Sequence, residues 1–141
     1  MQRILVAVDA SDTARRAVAL AVQIAEKFGA TVELLHVMPP PPVFSEPALI
    51  VNVAELERAQ YESAQALLTR IAQAEARPGV VVQTRILGGP AAEVIAEAAD
   101  QGAFDLVAVG SRGRNMVASA LLGGVSHRLI HICKKPVLVA H

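Results

Sequence analysis

Residues 4–11 read Ile4-Leu5-Val6-Ala7-Val8-Asp9-Ala10-Ser11, five apolar residues followed by a short polar turn. An uninterrupted apolar run of this length is typical of a parallel strand that is covered on both faces. Ser11 is a residue type that caps helices, and apolar residues recur at three- and four-residue steps from Ala17 to Phe28, where Gly29 ends the pattern. The stretch therefore predicts a central strand that leads directly into an amphipathic helix.

The same alternation of strand-like and helix-like segments continues along the rest of the chain. Further strands are predicted at residues 31–37, 80–87, 105–109 and 136–140, and further helices at 53–76, from Pro90 onward, and around 125–132. Strands that alternate with helices form a parallel sheet with right-handed crossovers. We therefore predict a single α/β domain over residues 1–141: a Rossmann-like, doubly wound five-stranded parallel sheet of order 3-2-1-4-5 with helices on both faces.

Composition argues against two classes of partner. Thirteen basic and thirteen acidic residues cancel, so the net charge offers no attraction to nucleic acid or to an anionic membrane. Every apolar run is shorter than the ~18 residues that a membrane span needs. A lone cysteine, Cys133, and the lack of a signal-peptide pattern make the cytoplasm the expected compartment. We expect neither nucleic acid nor a membrane as a partner.

Two glycine segments follow the fourth predicted strand, Val109-Gly110-Ser111-Arg112-Gly113 and Gly123-Gly124-Val125-Ser126. In the predicted order, strands 1 and 4 are neighbours whose loops leave in opposite directions, so a crevice opens between Asp9 and Gly110. Glycine lets backbone N–H groups approach a ligand, and a helix N-terminus attracts anions. The segments predict a phosphate site, although the same glycines would also suit turns and tight helix-to-sheet packing.

These segments contribute to a whole-length resemblance to the nucleotide-binding universal stress proteins. The other shared stretches are residues 4–11, Leu34-Leu35-His36-Val37, Gly89-Pro90-Ala91 and Pro136-Val137-Leu138-Val139. The family signature is Gly, two residues, Gly, nine residues, then Gly followed by Ser or Thr. Gly110, Gly113 and Gly123 match it, whereas Gly124 stands where the hydroxyl residue is expected. The resemblance implies an adenine nucleotide alpha hydrolase-like fold that binds ATP.

The resemblance also implies roles around the nucleotide. Asp9 would lie against it, and its carboxylate could accept a ribose hydroxyl or hold a Mg²⁺ that bridges the phosphates. The alternative is that Asp9 is only a favourable charge at a helix N-terminus. Arg112 and Arg114 could contact phosphate oxygens or simply face solvent. Ala7 and Val8 would lie beside the adenine. The complete predicted site is Ala7, Val8, Asp9, Val37, Val109, Gly110, Arg112, Gly113, Gly123, Gly124, Val125 and Ser126, with Val37 and Val109 as apolar walls.

Gly124 departs from the family signature in a way that can be weighed physically. It keeps the backbone N–H that a Ser or Thr would offer to a phosphate and loses the hydroxyl. Losing one hydrogen bond to a charged group costs roughly 1.5–3 kcal/mol, which weakens binding without abolishing it. We expect Ser126, two residues later, to offer a hydroxyl on the same side.

Two functions of different classes are compatible with the sequence. One is a regulatory module of the stress response whose conformation and partner binding depend on ATP. The other is a nucleotide-independent dimeric stress protein whose site has lost the ability to bind nucleotide. We expect no enzyme: no nucleophile and base pair is evident, and the resemblance implies at most slow ATP hydrolysis or autophosphorylation. No adjacent Asp or Glu orients His127 as a base, so it is expected to be a histidine on a helix surface. His36 is expected to be a satisfied core residue, and His131 and His141 show no metal-ligand spacing.

The strand at residues 136–140 is apolar on both faces and is predicted to form an unpaired sheet edge in a monomer. Antiparallel pairing with a second copy would cover it, and the resemblance implies the same homodimer. The proline-rich segment at residues 39–52 is predicted to be a long loop that could cover the crevice or the interface.

Overall fold

Strands and helices alternate along the part of the chain that the computed structural model describes, residues 1–40, 53–113 and 122–141. The elements are β1 (Arg3–Ala7), α1 (Asp12–Phe28), β2 (Thr31–Met38), α2 (Val53–Ala74), β3 (Val82–Gly88), α3 (Ala91–Gln101), β4 (Leu106–Gly110), α4 (Gly124–Ile132) and β5 (Val137–Ala140). Each predicted element is confirmed, with ends that differ by at most two residues. Pro90 is the N-cap of α3 and not its first helical residue.

The five strands form one parallel sheet of order β3-β2-β1-β4-β5, as predicted. On one side of β1, Arg3 lies opposite Thr31 of β2, and on the other side Ile4 lies opposite Leu106 of β4. The chain turns into α1 after β1 and into the glycine segments after β4. The carboxyl ends of β1 and β4 therefore lie side by side, and the crevice expected from the strand order is present.

Both faces of the sheet are covered by helices, which explains why β1 is apolar without interruption. Ile4 and Val6 belong to a core that is completed by α1 and α2, whereas Leu5 belongs to a second core that is completed by α3 and α4. Because side chains alternate along a strand, consecutive residues of β1 go to opposite cores. Ile4, Leu5 and Val6 are all fully buried, as a central parallel strand requires.

The ends of α1 follow the local signals in the sequence. Ser11 is the N-cap and its hydroxyl accepts the Ala14 N–H at 3.2 Å, while Gly29 adopts a left-handed conformation with φ of 66°. One prediction for this helix is wrong: Phe28, which the periodicity placed on the buried face, is 64% exposed. The buried stripe stops at Ala25 because Gly29 turns the chain back toward β2 immediately after Phe28.

Two predictions fall on residues that the structure does not describe. The proline-rich loop is described only at Pro39 and Pro40, and Arg114 lies in the second gap, residues 114–121. In the described ranges, none of the helices combines the length and the apolar character needed to cross a bilayer.

Candidate functional site

A cavity of about 310 Å³ opens where β1 and β4 end. All twelve residues of the predicted site line it, so the structure brings together segments that are more than 100 residues apart in the sequence. The prediction did not include six further lining residues: Ser11, Ala14, Leu35, His36, Ala91 and Ile95. Leu35 could have been found, because the two-residue period of β2 places it on the same face as Val37.

One part of the cavity is apolar. Ala7, Val37 and Val109 come from three adjacent strands and belong to, or pack against, the core shared with α3, which adds Ile95. A flat, largely apolar group of limited size would be enclosed well by short aliphatic side chains. Val8 adds no unused backbone group, because its N–H donates to Leu35 O at 2.8 Å and its carbonyl accepts the His36 Nδ1–H at 2.7 Å.

The Asp9 carboxylate is held in a fixed orientation at the end of β1. Its Oδ1 accepts the Ser11 N–H at 2.8 Å and also the Ser11 hydroxyl. A methyl group placed on Gly113 would lie 3.4 Å from the other oxygen, Oδ2. The carboxylate therefore directs one oxygen to the cap of α1 and the other toward the glycine segments. Ser11 caps the helix itself, and Asp9 orients Ser11.

Backbone hydrogen bonds tie the two glycine segments together and to the rest of the fold. The Ser111 N–H donates to Ala140 O at 2.7 Å, and the Gly123 N–H donates to Ser111 O at 2.6 Å. From the first turn of α1, the Thr13 hydroxyl donates to Arg112 O at 2.7 Å. Thr13 was missed by the sequence analysis because nothing in its local sequence indicates a partner 99 residues away.

The N-terminus of α4 presents three backbone amides to the cavity side. Gly123 is the N-cap without a side-chain cap, and the His127 N–H makes the first helical hydrogen bond, to Gly123 O at 2.9 Å. The N–H groups of Gly124, Val125 and Ser126 precede that bond and find no acceptor within the described residues. A helix N-terminus of this kind binds anions through its amides and its dipole.

The hydroxyl of Ser126 does not serve the role expected of it. Ser126 is 2% exposed, and its Oγ lies 3.0 Å from Ser111 O and 3.1 Å from Gly123 O, with the hydroxyl donating to these carbonyls. One proton shared between two internal acceptors leaves none for a ligand. The expectation that this hydroxyl replaces the one absent at Gly124 is therefore wrong. Ser126 contributes its backbone N–H instead.

Replacing Thr13 with valine tests how much its hydroxyl holds the loop after β4. Valine has nearly the same shape but cannot donate to Arg112 O, so we expect the free energy of unfolding to fall by about 1 kcal/mol. Urea denaturation of Thr13→Val measures this. Thr13→Ser keeps the hydroxyl and is the control, which should stay close to the natural protein. A loss for Thr13→Ser with none for Thr13→Val would show that the methyl group, not the hydrogen bond, matters.

Known proteins match this fold and the whole chain. A universal stress protein of Thermus aquaticus is 35% identical over 142 residues, covering 96% of each chain. A solved universal stress protein from Lactobacillus plantarum has a TM-score of 0.82 at 27% identity, covering 99% of this chain and 97% of its own. A universal stress protein solved in complex with cAMP has a TM-score of 0.72 at 28% identity, with coverage of 99% and 97%.

A family-wide comparison gives the same result. The model of the universal stress protein family matches residues 1–141, which include both glycine segments and the strand that precedes Asp9. The match spans every element of the sheet and the two loops that meet at the cavity. The chain therefore belongs to the universal stress protein family.

Proposed function

We propose that the cavity between β1 and β4 binds an adenine nucleotide, with ATP and Mg²⁺ as the physiological form, and that occupancy regulates what the protein binds. The observation that carries the proposal is the set of three amides at the start of α4, which face the same cavity as the fixed Asp9 carboxylate. Amides at a helix N-terminus suit phosphate oxygens. A related protein, 28% identical, was solved in complex with cAMP, which supports an adenine nucleotide as the ligand class.

The adenine would occupy the apolar part of the cavity, between Ala7, Val37 and Val109. The Val8 backbone groups are both engaged within the protein, so Val8 would contribute shape and not hydrogen bonds. The phosphates would then extend toward Gly113 and the α4 amides, with Arg112 beside them on the cavity wall. This arrangement places the apolar and the anionic halves of a nucleotide against surfaces of matching character.

The residues present also fit a magnesium ion. Mg²⁺ is commonly held by one or two carboxylates together with substrate phosphates, and Asp9 Oδ2 is the carboxylate oxygen that points toward the glycine segments. Among the described residues there is no group of three or more acidic, histidine or cysteine side chains that could hold an ion alone. A bound Mg²⁺ would neutralise phosphate charge, and Asp9 would otherwise repel the phosphates.

Calorimetric titration with Mg-ATP tests the proposal, and Asp9→Asn tests the role of the carboxylate. Asparagine can still accept the Ser11 N–H, so the cap should survive while the charge is lost. With Mg²⁺, we expect Asp9→Asn to bind ATP roughly tenfold more weakly than the natural protein; without Mg²⁺, it should bind more tightly because the repulsion is gone. Glu62→Gln removes an exposed carboxylate on α2 and is the control. Its ATP affinity should equal that of the natural protein with and without Mg²⁺.

Two measurements together would contradict nucleotide binding by the cavity. No heat of binding with millimolar ATP, together with an unchanged unfolding temperature in its presence, would remove nucleotide binding. It would leave the second candidate, a stress protein that acts without nucleotide, whose specific support is the glycine at position 124. We favour binding over catalysis as the role of the cavity, and a measurable single-turnover release of ADP that Asp9→Asn abolishes would overturn that preference.

We also propose a homodimer through β5. This strand is the last in the sheet, and Val137, Leu138 and Val139 are only half-buried. Pro136 O and Ala140 O accept N–H groups of β4 and Ser111. Because alternate residues of a strand point to the same side, the backbone groups of Val137 and Val139 face the open edge. An edge of this kind pairs readily with another copy.

Val139→Pro tests whether the open edge of β5 forms the dimer, with Val139→Ala as its control. Proline removes the outward N–H and should leave the hydrogen bonds to β4 intact, since proline is tolerated on edge strands. By light scattering at micromolar concentration, we expect the natural protein at twice its 14.8 kDa mass, Val139→Pro as a monomer, and Val139→Ala as a dimer. A natural protein that is already monomeric would contradict the proposal.

A further inference from the structure

Two exposed histidines form a pair on α4, outside the nucleotide cavity. His127 and His131 are four residues apart, so they lie on the same face of the helix. Their ring centroids are 4.8 Å apart with an interplanar angle of 64°. Neither ring has a hydrogen bond or an ion pair with any other described residue, and both side chains are exposed. Neither histidine lines the cavity.

The helix that carries this pair is held firmly in place. Leu129, between the two histidines, is fully buried against the core shared with α3. Arg128 forms an ion pair with Glu93 of α3, and the Cys133 N–H donates to Leu129 O at 2.9 Å where the helix ends. The backbone therefore fixes the spacing of the two rings, and only rotations of the side chains are needed to turn a nitrogen of each toward a common point.

A pair of this kind has the chemistry of a metal chelate. Imidazole nitrogen is a preferred ligand of Cu²⁺, Ni²⁺ and Zn²⁺, and histidines four residues apart on one helix face are the arrangement that zinc-binding helices of the H-E-x-x-H type use. Here the residues between them are Arg128, Leu129 and Ile130. None of these is a carboxylate, so the glutamate that acts as general base in the H-E-x-x-H motif has no counterpart between the two histidines. The Arg128 charge is matched by Glu93.

We propose that His127 and His131 form a surface binding site for a divalent transition metal ion, with the two imidazoles as protein ligands and water in the remaining positions. The site is separate from the nucleotide cavity and does not depend on ATP binding. The sequence analysis weighed His127 only as a possible base and paired His131 with no other histidine, whereas the decisive spacing is the four-residue step from His127 to His131.

Titration of the untagged full chain with CuCl₂ tests the proposal, because copper binds imidazole most strongly among the first-row divalent ions. We expect one ion per chain. His127→Gln and His131→Gln should each bind copper about 100-fold more weakly, because the second ligand of a linked pair acts at high effective concentration. His141→Gln, which removes an exposed histidine outside the pair, is the matched control and should bind as the natural protein does.

Electron paramagnetic resonance of the copper complex reports the number of nitrogen ligands on the ion, so it distinguishes the loss of a ligand from a loss of folded protein. The natural protein and His141→Gln should show two nitrogen ligands, and each variant of the pair should show one. Circular dichroism checks that the variants are folded, and glutamine is a good helix former at exposed positions. Copper affinities of His127→Gln and His131→Gln within about twofold of the natural protein would overturn the proposal, because removing one ligand of a chelating pair lowers the affinity far more than twofold.

Discussion

Gly124→Ser is expected to bind Mg-ATP about 10- to 100-fold more tightly than the natural protein, because one hydrogen bond to a charged group is worth roughly 1.5–3 kcal/mol. Gly124 is the first residue of α4, and a methyl group placed on it would meet no atom of the described residues within 4 Å beyond its own helical turn. The new side chain would therefore enter open space at the cavity, beside the amides proposed to hold the phosphates. Titration calorimetry in Mg²⁺ measures the gain.

Gly124→Ala is the control that isolates the hydroxyl. Alanine adds the same β-carbon and, like serine, should stabilise the helix relative to glycine, but it has no hydroxyl to donate to a phosphate. We expect its ATP affinity to stay close to that of the natural protein. If serine and alanine bind ATP equally, the hydroxyl does not reach the phosphates, and the proposed position of the phosphate chain at α4 is incorrect.

Gly110→Ala is expected to lower the free energy of unfolding by about 1–3 kcal/mol, the usual cost of forcing extra atoms into a packed site. A methyl group at this position would lie 2.5 Å from Thr13 Oγ1, 2.6 Å from Ala14 N and 2.7 Å from the Thr13 carbonyl carbon. Two of these three atoms are backbone, so no side-chain rotation can relieve the overlap. The first turn of α1 must move away from β4.

That movement has a second consequence for the site. Separating α1 from β4 stretches the hydrogen bond from the Thr13 hydroxyl to Arg112 O, which is 2.7 Å in the native fold. We therefore expect Gly110→Ala to weaken ATP binding as well as folding. Urea denaturation and calorimetry measure the two effects.

Gly88→Ala is the matched control for Gly110→Ala. Gly88 ends β3, as Gly110 ends β4, but a methyl group there would meet no atom of the described parts of the chain within 4 Å beyond its sequence neighbours. The φ of Gly88 also lies outside the left-handed region. Alanine at a compatible glycine position leaves stability unchanged or raises it slightly. If both variants lose stability equally, the close approach of α1 to Gly110 is not the cause, and the loss reflects strand ends in general.

Much of the fold could be predicted because its signals are local. The apolar run of β1 indicated burial on both faces, and Ser11 and Gly29 marked the ends of α1 through their own backbone and side-chain chemistry. Phe28 shows where this reasoning fails. Helical periodicity assigns it to the buried stripe, although Phe28 is 64% exposed in the fold, because periodicity alone does not show whether a neighbouring element covers the last turn of a helix.

The sequence by itself determined the order of the strands, because the carboxyl ends of parallel strands lie along one edge of the sheet and the pattern of elements sets which ends are adjacent. Together with the family resemblance it also predicted twelve of the residues that line the cavity. Only the tertiary structure decided which polar atoms are available there. Thr13 holds a carbonyl 99 residues away, and the Ser126 hydroxyl turns inward to a carbonyl 15 residues away. Such pairings depend on distances between atoms that the fold brings together, and no local pattern in the chain records those distances.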